Sequence, residues 1–508
     1  VEAEANHTRA VVLKPDYAEA HNNLGNTLKE LGELEKALAS LGRAVALKPD
    51  YAEAHNNLGS ALNELERLEE AVASYTQAIV LKPDYAEAHG NLGMALQQLG
   101  RLDEAEVSYE QAIGLKTDYA VVYSNLSTIL QNQGRLEEAL TGYNEAIELQ
   151  VDYSEAYSNK NLCLNYFSNR SSLFIYQQHL EFEKQFGGLK IRVPLMAKVN
   201  KSSGERLRIG YVSGDFRTHS VAYFFEPLLQ HHNANVVETF CYYNNKIVDD
   251  VTNRLMAIAE HWRPIVDMSN ANVVDLIIED KIDILVDLSG HTANNRLLVF
   301  AQKPAPILIT WLGSSNTTGL SAIDYRFTDV IADPIGAADQ FNSEILFRLP
   351  NGFHCYRGNE NALLNLELPH KNRGHITFGS FNNMSKLTPE VIKVWSKILN
   401  AVPQSQLLLK TSQVTHNLSH YVQLFEQEGI SEDRIEYYGH LPSNHEHLEL
   451  YGAIDIGLDP FPYNGVTTTC EALWMGVPVL TLAGDRHAGR VGASILTNVG
   501  LTDFIAQD

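Results

Sequence analysis

Cysteine is scarce. Cys163, Cys241, Cys355 and Cys470 stand singly in 508 residues. No two have the spacing of a zinc knuckle or a redox pair, which excludes a disulfide scaffold and structural zinc and points to a reducing compartment. Long apolar runs are also missing: no window approaches the ~18 residues that a membrane-spanning helix needs. The start at Val1 shows neither a basic nor an apolar leader segment. Positive charge is in deficit, with 39 Lys+Arg against 62 Asp+Glu and a net charge of −23. Residues 1–153 carry −14 of that balance. A nucleic-acid binder needs a basic stripe, so neither nucleic acid nor membrane is an expected partner. No Asp-x-Asp occurs, which tells against a divalent-metal diphosphate site. The GxSxG elbow and the P-loop are absent too.

What is present is ordinary globular composition, 44% hydrophobic and 20% charged, in a length that predicts about three folding units. A repeat fills the first third. PDYAEAHNNLG at Pro15–Gly25 returns at Pro49–Gly59 and, with one change, at Pro83–Gly93. Weaker copies stand at Thr117–Ser127 and Val151–Asn161. Every step is 34, the period of the tetratricopeptide repeat. Each unit is expected to be two antiparallel helices, with small Gly and Ala at the close approaches and Pro15, Pro49 and Pro83 closing the second helix. Four full repeats are expected within residues 1–170. Residues 1–17 read as the second half of an earlier one, as if the chain began inside a longer solenoid. Asn23, Asn57, Asn91, Asn125 and Asn159 share one repeat position. Stacked carboxamides offer donors and acceptors that can grip the backbone of an extended peptide, or can simply satisfy their neighbours.

Residues 171–205 read as connecting helices and a linker, with Ser202, Ser203 and Gly204 near its end. Beyond it, short β-rich runs alternate with helical patterns. The strand candidates are Leu207–Ser213, Thr239–Tyr243, Ile282–Leu288, Ile307–Leu312, Ile376–Phe381, Gln406–Leu409, Ile435–Tyr438, Ile454–Leu458 and Val479–Leu482. The alternation predicts doubly wound α/β structure in two halves, 206–365 and 366–508, with a ligand cleft at their strand C-termini.

Several strand ends carry chemistry. His219 and His291 follow the first and third strands and are candidate acid–base groups, with a capping or surface role as the alternative. Lys386 stands just before a helix start at Thr388-Pro389, where an ammonium beside free N–H groups can hold a diphosphate. Thr467, Thr468 and Thr469 follow Gly465 at another helix start, a second anion seat or plain N-caps. Glu471, one turn in, is placed for a ribose hydroxyl. His445 and His447 lie two apart on a helix and point to different faces, so no metal site is expected.

These segments together resemble the protein O-GlcNAc transferase and SPINDLY family, tetratricopeptide repeats followed by a GT-B catalytic region. The strings THSVAYF (Thr218–Phe224), EDKIDILVDLSGHTANN (Glu279–Asn295), GSFNN (Gly379–Asn383) and TTTCE (Thr467–Glu471) look more like the SPINDLY, O-fucosyltransferase branch. Val466 stands where the O-GlcNAc transferases have His, His291 where animal ones have Tyr, and Asn444 where they have Lys. The resemblance implies an inverting transfer of a sugar from GDP-fucose, or from UDP-GlcNAc, to Ser or Thr of a protein held by the repeats, without a metal or other cofactor. It implies that Lys386 contacts the leaving diphosphate and that Thr467 and Thr468 bind phosphate oxygens. Glu471 would contact ribose, His447 the base and Asn383 the nucleotide site, with His219 on the acceptor side. A homodimer through the repeats and a cytoplasmic location, nucleocytoplasmic in a eukaryote, are further expectations. So are C-terminal helices beyond residue 508. A non-catalytic adaptor with a nucleotide-binding module is the competing class, and a lipid or small-molecule glycosyltransferase a third.

Overall fold

In the computed structural model the described residues are 2–189, 191–192, 201, 204–362, 367–411, 418–439, 441 and 443–507. Of the expected connection, residues 190, 193–200, 202 and 203 lie outside them. The described chain divides into two compact units, one of residues 1–151 and one from Asp152 onward.

In the first unit the 34-residue period becomes helix pairs. The helices are α1 (Glu2–Leu13), α2 (Ala18–Glu30), α3 (Leu34–Leu47), α4 (Ala52–Glu64), α5 (Leu68–Leu81), α6 (Ala86–Gln98), α7 (Leu102–Leu115), α8 (Ala120–Asn132) and α9 (Leu136–Leu149). The prolines act as expected: α1, α3 and α5 end two residues before Pro15, Pro49 and Pro83. Each following turn is pinned by a lysine over a tyrosine ring, such as Lys48 on Tyr51 at 4.7 Å. Gly59 and Gly93 are required by closeness. A Cβ at Gly59 would stand 2.7 Å from the Tyr75 ring, and one at Gly93 would stand 2.6 Å from Tyr109.

The asparagine ladder is partly spent inside the stack. Asn57 donates to the side chain of Asn22 at 2.9 Å, and Asn91 to that of Asn56 at 3.0 Å. Asn23 is exposed, whereas Asn57, Asn91 and Asn125 are half-buried. Asn159 lies in the second unit.

The second unit opens with α10 (Ser154–Cys163) and α11 (Ser172–Phe186). Seven parallel strands follow: β1 (Leu207–Ser213), β2 (Val237–Tyr243), β3 (His261–Pro264), β4 (Ile284–Asp287), β5 (Ile307–Thr310), β6 (Tyr325–Thr328) and β7 (Ile345–Arg348). Their order is β3-β2-β1-β4-β5-β6-β7. Between them lie α12 (Ser220–Gln230), α13 (Asp250–Ile258), α14 (Asn270–Glu279) and α15 (Leu297–Phe300). The second sheet is parallel as well, in the order β10-β9-β8-β11-β12-β13. It is built from β8 (Thr377–Ser380), β9 (Gln406–Lys410), β10 (Ile435–Tyr438), β11 (Ile456–Leu458), β12 (Val479–Leu482) and β13 (Ile505–Ala506). Its helices are α16 (Pro369–Arg373), α17 (Pro389–Ala401), α18 (Leu418–Gln427), α19 (Asn444–Glu449), α20 (Thr467–Trp474) and α21 (Val491–Asn498).

The nine expected strands are present, and β3, β6, β7 and β13 are additional. In each sheet the order reverses next to the first strand, at β1/β4 and at β8/β11, and parallel α/β sheets bind ligands outside such points. The halves share structure. Val491 of α21 sits in the core of the first sheet with Val286, Ile309 and Trp311. Ser494 of α21 donates to Asp329 at 2.5 Å, and His487 bonds Asp333 at 2.7 Å. Among the described residues no helix is long and apolar enough to cross a membrane.

Candidate functional site

The second switch point builds the clearest arrangement. β8 is buried along its length and delivers Asn382 and Asn383 at its C-terminal end. The Asn383 side chain accepts from the Ser385 N–H at 3.0 Å and so starts the single 3-10 turn that aims Lys386. Opposite, β11 delivers Asp459. Its carboxylate accepts from the Gly465 N–H at 2.6 Å and from the Thr481 hydroxyl at 2.7 Å, which folds residues 459–466 back over the strand end.

These two loops converge. The Lys386 ammonium donates to the Asn464 carbonyl at 2.7 Å and to the Asn382 side-chain oxygen at 3.2 Å. The same Asn382 oxygen accepts from the Thr468 hydroxyl at 3.2 Å. Lys386 also lies over the Tyr463 ring, 4.3 Å from its centre. Burial pulls the lysine down to about 8, against the pull of Asp459. Burial likewise pushes Asp459 up to about 6, against its two donors and Lys386.

α20 begins beside this ammonium without a side-chain cap, because Val466 occupies the N-cap position. Its first N–H groups therefore face the loop crossing with the positive end of the helix dipole behind them. An ammonium and an uncapped helix start at one place form a seat for a dianionic group.

The threonines divide. Thr468 joins the Lys386–Asn382 cluster. Thr469 is buried, and its hydroxyl bonds back to the Gly465 carbonyl at 3.1 Å, so it fixes the turn. Thr467 is the first residue of α20, half-buried. Asn383, expected to line the nucleotide site, spends its side-chain oxygen on the 3-10 turn.

A cleft of about 610 Å³ opens between the halves, a size suited to a small-molecule site. Tyr223 and Arg254 line it from one side, Asn444, Leu448 and Glu471 from the other, and residues 356–361 cross between. Glu471 is buried, accepting from His447 Nε2 at 2.9 Å and from the Tyr451 hydroxyl at 3.2 Å. The carboxylate thus orients His447, whose Nδ1 is buried and has no hydrogen-bond partner among the described residues. His445, by contrast, is exposed and paired with Glu449. Residues 356–361 carry no motif, and Tyr223 and Arg254 no recognisable spacing, so sequence reasoning missed this wall. Tyr223 lies one turn beyond His219 on α12 and inside the string THSVAYF, the two signals that could have found it.

His219 N-caps α12. Its Nδ1 accepts from the Val221 N–H at 3.3 Å and lies 3.7 Å from the Asp215 carboxylate. Burial lowers its pKa, with Asp215 opposing and Arg217 assisting; burial raises that of Asp215. A neutral ring with Nδ1 accepting carries its proton on Nε2. Its neighbour Thr218 lines the cleft.

His291 does not lie in the cleft. It is 1% exposed. Its Nε2 faces the Thr318 carbonyl at 2.9 Å and the Asn161 amide, and its Nδ1 the Ser158 hydroxyl at 3.1 Å. Phe182 and His179 of α11 pack edge-on against it. Burial holds it down at about 4. The apolar strand before it made it resemble a cleft residue, but its place is the joint between α10, α11 and the first sheet.

Among the described residues one carboxylate–histidine cluster has metal-like spacing, Glu238, Glu260 and His261. Its carboxylates hold Arg206 and Arg208, so cations already neutralise it.

Glycosyl transferase family 41 matches residues 189–365 and 365–508. Tetratricopeptide-repeat families match within residues 8–151. A tomato protein named probable UDP-N-acetylglucosamine–peptide N-acetylglucosaminyltransferase SPINDLY is 42% identical over 68% of this chain and 38% of its own length. The Arabidopsis thaliana protein of the same name is 39% identical over the same shares. The chain thus spans well under half of the curated relatives it matches. A solved structure of a Thermobaculum terrenum O-GlcNAc transferase mutant is 32% identical, with TM-score 0.84, covering 90% of this chain and 87% of that one.

Proposed function

The chain belongs to glycosyl transferase family 41, and from this premise we propose that it transfers a sugar from a nucleotide sugar to Ser or Thr of target proteins with inversion. The observation that carries the reading is the junction at Asn382, where the Lys386 ammonium and the Thr468 hydroxyl meet beside the uncapped start of α20.

In the reaction the acceptor hydroxyl oxygen forms a bond to the anomeric carbon, and the bond from that carbon to the β-phosphate oxygen breaks. The electron pair leaves with the nucleoside diphosphate, whose departing oxygen or the solvent takes the proton shed by the acceptor hydroxyl. Lys386 and the N–H groups of α20 face the charge so released, and one such donor is worth roughly 10²–10³ in rate. Neutral His219, with its proton on Nε2 and its neighbour Thr218 on the cleft wall, is the donor assigned to the acceptor side. Glu471 holds His447 for the nucleoside, and no metal or other cofactor is needed. The repeats would hold the acceptor protein, with Asn23, Asn125 and the other ladder amides among the gripping groups.

GDP-fucose is the favoured donor, supported by the SPINDLY-like strings and by Val466 at the helix start. UDP-GlcNAc is the second reading, favoured by the names of the relatives above. The test is transfer of radiolabel from each sugar nucleotide to protein, with GDP and UDP as competitors. Lys386→Ala should remove turnover while the protein stays folded, and near wild-type turnover in that variant would refute the assignment. Deleting repeats should reduce protein modification more than hydrolysis of the free donor. Binding of nucleotide with no transfer to any protein would favour the adaptor instead.

A further inference from the structure

Arg326 lies in the interior of the second unit, on β6, 3% exposed. One end of its guanidinium, Nη2, donates to the Ser314 carbonyl at 3.2 Å. The other, Nη1, is buried and has no hydrogen-bond partner among the described residues. A buried cationic donor left unpaired costs a protein several times what a satisfied one returns. Such a group calls for an occupant.

Nη1 belongs to a side chain that lines a small cavity with Ser314, Ser315, Trp311, Phe353, His354 and Val466. Two of these tie the cavity to the diphosphate seat. Val466 is the N-cap of α20. Ser315 donates to the Tyr463 hydroxyl at 3.2 Å, and Lys386 lies over that same ring. The cavity therefore adjoins the place where a bound diphosphate would carry its sugar.

Its size and charge narrow the chemistry. The free space is about 10 Å³, roughly that of one water molecule or one hydroxyl group. A phosphate group does not fit it. Charge argues the same way, because Asp333 and Glu344 already face Arg326. With the cation offset, the free N–H suits a neutral oxygen better than an anion.

We propose that Arg326 Nη1 reads one hydroxyl of the transferred sugar, a specificity contact separate from the Lys386 seat. The inference rests on the glycosyl-transfer reading and names the group that selects the sugar.

The experiment compares binding of a nucleoside diphosphate and of its sugar nucleotide by calorimetry, on the full chain. Arg326→Lys and Arg326→Gln should bind the nucleoside diphosphate within about threefold of wild type. They should bind the sugar nucleotide roughly tenfold to a hundredfold more weakly, the range of one hydrogen bond to a charged group. A set of monodeoxy donors supplies an independent readout on the unaltered protein. One deoxy position should lose the same factor in wild type and nothing further in Arg326→Lys. Equal loss of diphosphate and sugar-nucleotide binding would overturn the inference and move Arg326 into the phosphate seat. Unchanged sugar-nucleotide binding in both variants, or no deoxy donor losing affinity in wild type, would overturn it in favour of a trapped water. Wild-type protein that binds no nucleotide at all would overturn the glycosyl-transfer reading together with this one.

Discussion

Replacing Lys386 by methionine should strengthen the empty protein and disable it. Methionine keeps the length and apolar stem of the side chain and removes the ammonium. In the free protein, burial holds that ammonium at about 8, against 10.5 for an ordinary lysine. The difference corresponds to about 3 kcal/mol at neutral pH, as an upper bound. The sign follows from linkage. Below pH 8 the folded and unfolded states both carry the proton, and the penalty is complete. Between 8 and 10.5 the folded state loses its proton first, and the penalty fades. Above 10.5 it is gone. Two bonds, to Asn464 and Asn382, and the contact with Tyr463 are lost with the charge, so the net gain at pH 7 should be on the order of 1–2 kcal/mol. The assays are denaturant unfolding and calorimetric titration of GDP and UDP from pH 6.5 to 9.5. Wild-type affinity for the preferred diphosphate should be level below pH 8 and then fall about tenfold per pH unit, because binding requires the charged lysine. Lys386→Met should bind more than a hundredfold more weakly, with no such break near pH 8. A variant that is less stable than wild type and still binds diphosphate would refute both the buried-charge argument and the seat.

Three further outcomes are expected. Gly59→Ala should cost about 1–3 kcal/mol, because the added methyl meets the Tyr75 ring at 2.7 Å; thermal unfolding measures it, and an unchanged midpoint would contradict the packing. Thr468→Val should weaken diphosphate binding about tenfold or more, whereas Thr469→Val should cost about 1 kcal/mol of stability and leave affinity within threefold, and titration of the two variants separates these roles. His291→Ala should lower the unfolding midpoint by the cost of an unfilled polar site, about 2–4 kcal/mol, while the folded fraction keeps its rate per molecule; lost rate with an unchanged midpoint would return His291 to the catalytic group.

The 34-residue period was fully legible because each copy repeats the same packing problem. The strands with apolar runs, such as β1, β4 and β5, were legible for the same kind of reason. β6 was not: its sequence is Tyr-Arg-Phe-Thr, and Arg326 breaks the apolar run although it is buried. The edge strand β3, His-Trp-Arg-Pro, is half-exposed and has no clean pattern. At the site, Lys386 and Thr468 were visible because each follows a strand end. Asn382 lies inside the GSFNN string, yet only three dimensions show that it and Tyr463 join the two. His291 misled because a strand end marks a ligand loop only if no helix covers it, and α10 and α11 cover this one.

The crossing of α21 into the neighbouring sheet has a wider consequence. A chain cut near residues 363–366 would give two fragments, the first missing Val491 from its interior and the second left with a stranded hydrophobic helix. Each fragment would therefore lack an interior contact that the other supplies. Any breathing of the two halves would strain the contacts of that shared helix, which ties the floor of the crevice together.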